Sequence, residues 1–132
     1  MKEKAAEYFG NGNSCSESIV KAASDKGLCD NSLISCATPF SRGMSAGCVC
    51  GAIAGCQLVI GYNYGKENVK NNPIFAREKS KLLVEEFKKR HKVTCCRSLT
   101  AGMDETARKE HCTKLVCDAA DILEKLITKV KV

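Results

Sequence analysis

Ten cysteines stand in a chain of 132 residues, so sulfur is the first chemistry to weigh. Three of them fall where a helix is expected to begin. Cys15 follows Ser14 in the run Ser14-Cys15-Ser16-Glu17. That run has the form of a capping box, in which the serine accepts from the glutamate's backbone and the glutamate reaches back. Cys50 stands where a loop rich in Gly and Ser gives way to Gly51-Ala52-Ile53-Ala54-Gly55. Cys96 follows Thr94, a residue type suited to capping. Unpaired N–H groups and the helix dipole at such ends favour negative charge, so thiol pKa values are expected to fall there. The thiolate is the form that attacks disulfides and binds metals. Cys112, on the apolar side of the last helix, is placed to complete a set of four. Groups so distant in sequence require the fold, not a local loop, to gather them.

The other cysteines divide in two. Cys29, Cys36, Cys56 and Cys117 are expected to pack as small hydrophobes, the commonest role of a free cysteine. Cys48 and Cys95 each lie beside a favoured residue, and Cys48-x-Cys50 and Cys95-Cys96 offer additional or alternative soft-metal ligands.

Absent patterns narrow the field. No Cys-x-x-Cys occurs, which disfavours thioredoxin-like enzymes, zinc ribbons and bacterial-type ferredoxins. Without Cys-x-x-Cys-His, covalently attached haem is not expected. His91 and His111 are too few for a His-rich metal site, and His111 would point about 100° away from Cys112 on a helix. Asp104, Glu105, Glu110, Asp118 and Asp121 fit caps or solvated helix faces, and no Ser-His-Asp set or phosphate-cradling loop is present. Conventional acid–base catalysis has no constellation to carry it, and thiol chemistry keeps an oxidoreductase or an electron carrier among the readings.

The elements that must position these sulfurs are helices. Two prolines and the lack of a long alternating β-branched run argue against strands. A short helix is expected over Lys2–Phe9, closed by Gly10-Asn11-Gly12, and a second from the capping box to Gly27, with Ile19, Ala22 and Ala23 inward. A brief helix over Asn31–Ala37 leads to a loop over Thr38–Gly47. The helix beginning around Cys50 runs to about Tyr64-Gly65, and its Gly51, Ala52 and Gly55 form a face that another backbone could approach, within the chain or in a dimer. Asn72-Pro73 has the form of an N-cap followed by Pro at the first helical position, with Phe75, Leu82, Leu83 and Phe87 as the buried face. A short turn of helix follows Thr94. The last helix, capped by Asp104 or Thr106, repeats Leu115, Val116, Ala119, Ile122, Leu123, Leu126 and Ile127 at the 3.6-residue period. The expectation is one all-α domain over residues 1–132, about five main helices packed around the Cys50 helix.

Composition bounds the setting. Met1 to Tyr8 is charged and helix-forming, with no apolar signal core, so a cytoplasmic location with reduced thiols is expected. Cys48–Gly61 is too short for the ~20 apolar residues of a membrane span. The net charge of +6 gathers between Lys66 and Lys92 and at the C-terminus, where it alternates with Glu85, Glu86 and Glu124. Without a reading motif or stacking aromatics, this is a solvated helix face rather than a nucleic-acid site.

Cys50-Gly51-Ala52-Ile53-Ala54-Gly55 resembles the signature of the CGCAxxGCC-motif (C_GCAxxG_C_C) family of redox-active proteins. The early Asn13-Ser14-Cys15-Ser16, Cys96-Arg97-Ser98-Leu99 and Cys112-Thr113-Lys114-Leu115-Val116 resemble its other cysteine segments, in the same order. The resemblance implies a redox role and carries four positions, Cys15, Cys50, Cys96 and Cys112. A related domain in split-Soret cytochromes, whose haem-binding part this chain lacks, is associated with a non-haem iron–sulfur centre. This chain departs from the family in its six further cysteines and in a loop before Cys50 with fewer glycines. The leading expectation is a [2Fe–2S] or [4Fe–4S] cluster held by the four thiolates for electron transfer or redox sensing. A metal-free thiol–disulfide protein, with Cys50 attacking and Cys96, Cys95 or Cys48 resolving, and a soft-metal binder for Zn²⁺ or Cu⁺ are the alternatives.

Overall fold

The computed structural model describes residues 1–65 and 72–128. Lys66 and the C-terminal lysines of the basic stretches lie outside the described residues. The architecture is all-α: α1 (Lys2–Gly10), α2 (Cys15–Asp25), α3 (Leu33–Ala37), α4 (Gly51–Tyr64), α5 (Ile74–His91), α6 (Cys96–Leu99) and α7 (Glu105–Thr128). Among the described residues the β structure is a single antiparallel bridge, Val49 to Cys95. α1, α2, α4, α5 and α7 are the five main helices expected from the sequence.

α4 is the central element because it has almost no polar side. Gly51 through Cys56, Val59 and Ile60 are all buried, and α2, α5 and α7 pack around it. Its closest partner is α2, and Gly55 makes the approach feasible. A Cβ on Gly55 would lie 2.8 Å from the Ser16 carbonyl and 3.2 Å from the Ile19 Cβ. The small-residue face therefore serves a crossing within the chain. α2 begins as expected: Ser14 Oγ accepts from the Glu17 N–H at 3.2 Å, and Glu17 Oε1 accepts from the Ser14 N–H at 3.0 Å. Its buried Ser16 donates to the Ala37 carbonyl at 2.7 Å, tying α3 to the same core.

α7 buries Leu115, Val116, Ala119, Ala120, Ile122, Leu123 and Ile127 against α1, α4 and α5. Asp104 caps it, accepting from the Ala107 N–H at 2.8 Å. The end of α5 is pinned to α7 through His91, whose Nε2 lies 2.8 Å from Asp118 while its ring packs on Phe87.

Three local expectations need correction. In α5, Leu83 and Phe87 are buried, but Phe75 is 61% and Leu82 42% exposed. A stripe of four apolar residues is wider than the contact α5 makes with α4 and α7. Pro73 occupies the cap position itself, and Asn72 reaches past it to accept from the Ile74 N–H at 3.0 Å. α6 is capped at Cys95 and not at Thr94, because the Thr94 carbonyl is taken by the Cys50 N–H at 2.7 Å.

The segment before α4 is more ordered in form than a loop. Pro39 sits in one 3₁₀ turn, Thr38–Phe40, and a left-handed coil follows. Arg42, Gly43, Met44, Ser45 and Gly47 all have φ between 54° and 74°. Left-handed backbone costs an L-residue about 1–2 kcal/mol, so bonds elsewhere must hold it. Ser45 Oγ donates to the Pro39 carbonyl at 3.0 Å, Arg97 Nη2 to the Ala46 carbonyl at 3.1 Å, and the Cys48 N–H to the Gly43 carbonyl at 2.7 Å.

Candidate functional site

Four separate elements deliver the four sequence-selected cysteines to one place. Cys15 opens α2, Cys50 is the cap residue of α4, Cys96 opens α6, and Cys112 comes from about two turns into α7. All four line one cavity of about 540 Å³. Cys50 and Cys96 are buried; Cys15 and Cys112 are partly open.

Local backbone geometry explains the gathering. Cys48, Val49 and Cys50 run antiparallel to Thr94, Cys95 and Cys96. The Cys50 N–H bonds to the Thr94 carbonyl, and the Cys96 N–H to the Cys48 carbonyl at 2.5 Å. This clip sets the start of α4 beside the start of α6. Gly43 seals it from behind, since a Cβ there would lie 2.5 Å from the Cys96 Cβ. Gly51 has its bare Cα against the Cys15 sulfur and lies under the Phe40 carbonyl, where a Cβ would be at 2.9 Å. Cys15 therefore has room only because residue 51 carries no side chain.

The electrostatics differ from the expectation of low thiol pKa values at helix starts. Burial pushes Cys50 up to about 12, and the N–H groups of Ala52 and Ile53 offset only part of that. Burial also raises Cys96 and Cys112, and each thiol is raised further by neighbouring cysteines. The helix-end contribution is present, but desolvation of the charged form outweighs it. The thiol that does fall is Cys95, through the backbone and side chain of Ser98 and then Arg97. Cys95 is the true cap of α6, so the principle holds and the register was one residue off.

Arg108 went unnoticed in the sequence. It lines the cavity one turn before Cys112, and its positive charge favours the thiolate forms of both Cys96 and Cys112. The i, i+4 spacing from Cys112 was the available signal.

Cys48 and Cys95, the suggested additional ligands, stand outside the cavity wall. Cys48 is exposed, and Cys95 donates to the Gly47 carbonyl at 3.3 Å. Cys29 and Cys56 are core residues as expected, with Sγ near the Val20 and Ala119 carbonyls. Cys117 is half-buried against α1, near the Lys2 carbonyl. Cys36 is exposed, contrary to the packing expected for it, because α3 has only five residues and turns that side outward. All ten thiols are free. Among the described residues, no three His, Cys, Asp or Glu side chains converge as ligands of a single metal ion.

The arrangement is thus a sulfur-lined cavity inside a helical domain, and sequence comparison gives the family of the chain. The family model described as "Putative redox-active protein (C_GCAxxG_C_C)" matches residues 13–126, and the chain belongs to that family. The matched span contains all four cavity cysteines and Arg108. No curated protein and no solved structure matches the chain. Among the described residues, no helix is long and apolar enough to cross a membrane.

Proposed function

We propose that the cavity binds an iron–sulfur cluster through Cys15, Cys50, Cys96 and Cys112, and that the protein uses it to carry single electrons or to sense redox state. The observation that supports this most is the meeting of four cysteines, from four elements, on one cavity wall. Four thiolates suit either a [2Fe–2S] or a [4Fe–4S] cluster. The four thiols face one shared cavity of about 540 Å³, room enough for a group of several atoms.

The cluster, when bound, supplies a one-electron couple. The chain supplies the rest. Cys50 and Cys96 hold their sulfurs in a buried setting, and Ala52 and Ile53 offer N–H groups to the Cys50 sulfur. Gly51 leaves the cavity open beside Cys15. Deprotonating buried thiols is costly, so cluster uptake should release protons and weaken at low pH.

Protein expressed and purified without oxygen should be brown, with charge-transfer absorption that bleaches on reduction. A colourless protein that takes up no iron on reconstitution removes the reading. Zinc or copper in place of iron would shift it to the soft-metal alternative.

A second reading has one observation in its favour. Cys95 is the thiol held below its ordinary range, so in a metal-free thiol–disulfide cycle it, and not Cys50, would attack. Burial and a pKa near 12 oppose Cys50 in that role. Loss of thiol–disulfide cycling in Cys95→Ser, with cycling retained in Cys50→Ser, would favour this second reading.

A further inference from the structure

Three cations line the sulfur cavity, Arg42, Arg108 and Lys109, together with two carboxylates, Glu17 and Glu105. Two of these five are committed elsewhere. Lys109 donates to the Phe9 carbonyl at 3.1 Å and lies over the Phe9 ring. Glu17 closes the α2 cap and accepts from Thr38 Oγ1 at 2.5 Å. Arg42 and Glu105 are exposed at the rim. Arg108 differs: it is half-buried, and one turn of α7 sets it on the same side as Cys112. Cys96 of α6 lines the same cavity, so one guanidinium acts electrostatically on two of the four sulfurs.

We propose that Arg108 is the charge-compensating and positioning residue of the site. It holds Cys96 and Cys112 in their places and raises the reduction potential of the bound group by opposing the negative charge gained with each electron. This rests on the cluster reading above. A planar guanidinium has donors enough for two sulfurs at once, whereas an ammonium offers the same charge as a point. The charge is fixed at every working pH, so the effect is one of potential and not of proton uptake. Four thiolates, two of them buried, carry net negative charge even around a cluster, and a half-buried cation in the cavity wall compensates it.

The test compares reconstituted wild type with Arg108→Gln and Arg108→Lys by potentiometric titration, after circular dichroism shows that both variants fold. Arg108→Gln should move the midpoint to more negative values by about 59 mV, a tenfold change in a one-electron equilibrium. Arg108→Lys should recover most of that shift while incorporating the cluster less tightly. A midpoint unchanged in Arg108→Gln, or shifted equally in both variants, overturns the proposal. Should wild type bind no cluster, the cluster reading fails; a cluster bound normally with the Arg108→Gln midpoint unmoved sinks this proposal alone.

Discussion

Gly51 packs its bare Cα directly against the sulfur of Cys15, so that a methyl group added at residue 51 would overlap that sulfur. The contact joins the first turn of α4 to the first turn of α2 and makes a glycine part of the site's shape. Gly51→Ala should therefore do two things at once. Overpacking should cost about 1–3 kcal/mol of stability, and displacement of Cys15 should reduce iron uptake. Gly61, farther along the same helix, has nothing within 4 Å of its Cβ position. Gly61→Ala should instead stabilise by about 0.5–1 kcal/mol, the ordinary helical gain, and leave uptake unchanged. Guanidinium unfolding with an iron assay on both variants checks the contrast.

Burial of Cys50 makes a prediction about alkaline pH. Its thiol titrates near 12 in the folded protein and near ~8.5 in an unfolded chain. Between those values the folded state holds a proton that the unfolded state has lost, so stability falls as pH rises. The contribution is fully present below about pH 8.5 and amounts to a loss of roughly 2 kcal/mol by pH 10. Cys29 and Cys56 are raised by burial too and add to the slope. Metal-free Cys50→Ala should therefore lose less stability between pH 7 and pH 10 than wild type, by about that amount. Identical slopes would show that Cys50 is not buried in solution.

The capping box of α2 controls the position of Cys15. Ser14→Ala removes an acceptor from the Glu17 N–H and should cost about 1 kcal/mol. Ser14→Gly should cost only a few tenths. Because Cys15 is the first residue of α2, Ser14→Ala should also loosen the cavity. Faster alkylation of Cys15, read by peptide mass spectrometry, would accompany the stability loss.

The exposed and peripheral thiols serve as internal controls. Cys36→Ser and Cys48→Ser, both at exposed positions, should leave stability within about 0.5 kcal/mol of wild type and iron content unchanged. Cys56→Ser places a hydroxyl in a fully buried setting and should destabilise by about 1–3 kcal/mol. It should do so without altering the spectrum of whatever protein remains folded.

Much of this was legible before any coordinates. The α2 cap, the apolar α4 and the periodic α7 are each encoded by local patterns that agree with their final packing. The four cysteines that share the cavity were also the four singled out by position and by family resemblance. The failures share a cause, which is that tertiary pairing is invisible in local sequence. The Val49–Cys95 bridge takes the Thr94 carbonyl and shifts the α6 cap to Cys95. Burial of Cys50, with Cys15 of α2 and Cys96 of α6 adding charge repulsion, raises a pKa that its helix end alone would lower. The left-handed coil at Arg42–Gly47 is built by contacts to Pro39 and Arg97, and three of its residues are types that rarely adopt that backbone. Arg108 could have been found by looking one turn before Cys112.

The central claim is that Cys15, Cys50, Cys96 and Cys112 act together on one bound group. Iron and acid-labile sulfide should be quantified in protein purified without oxygen, for wild type and for each of the four single Cys→Ser variants. Wild type should contain both elements in near-equal amounts, and every one of the four variants should lose most of each. Wild type without iron or sulfide, or four variants that retain them in full, would contradict the account.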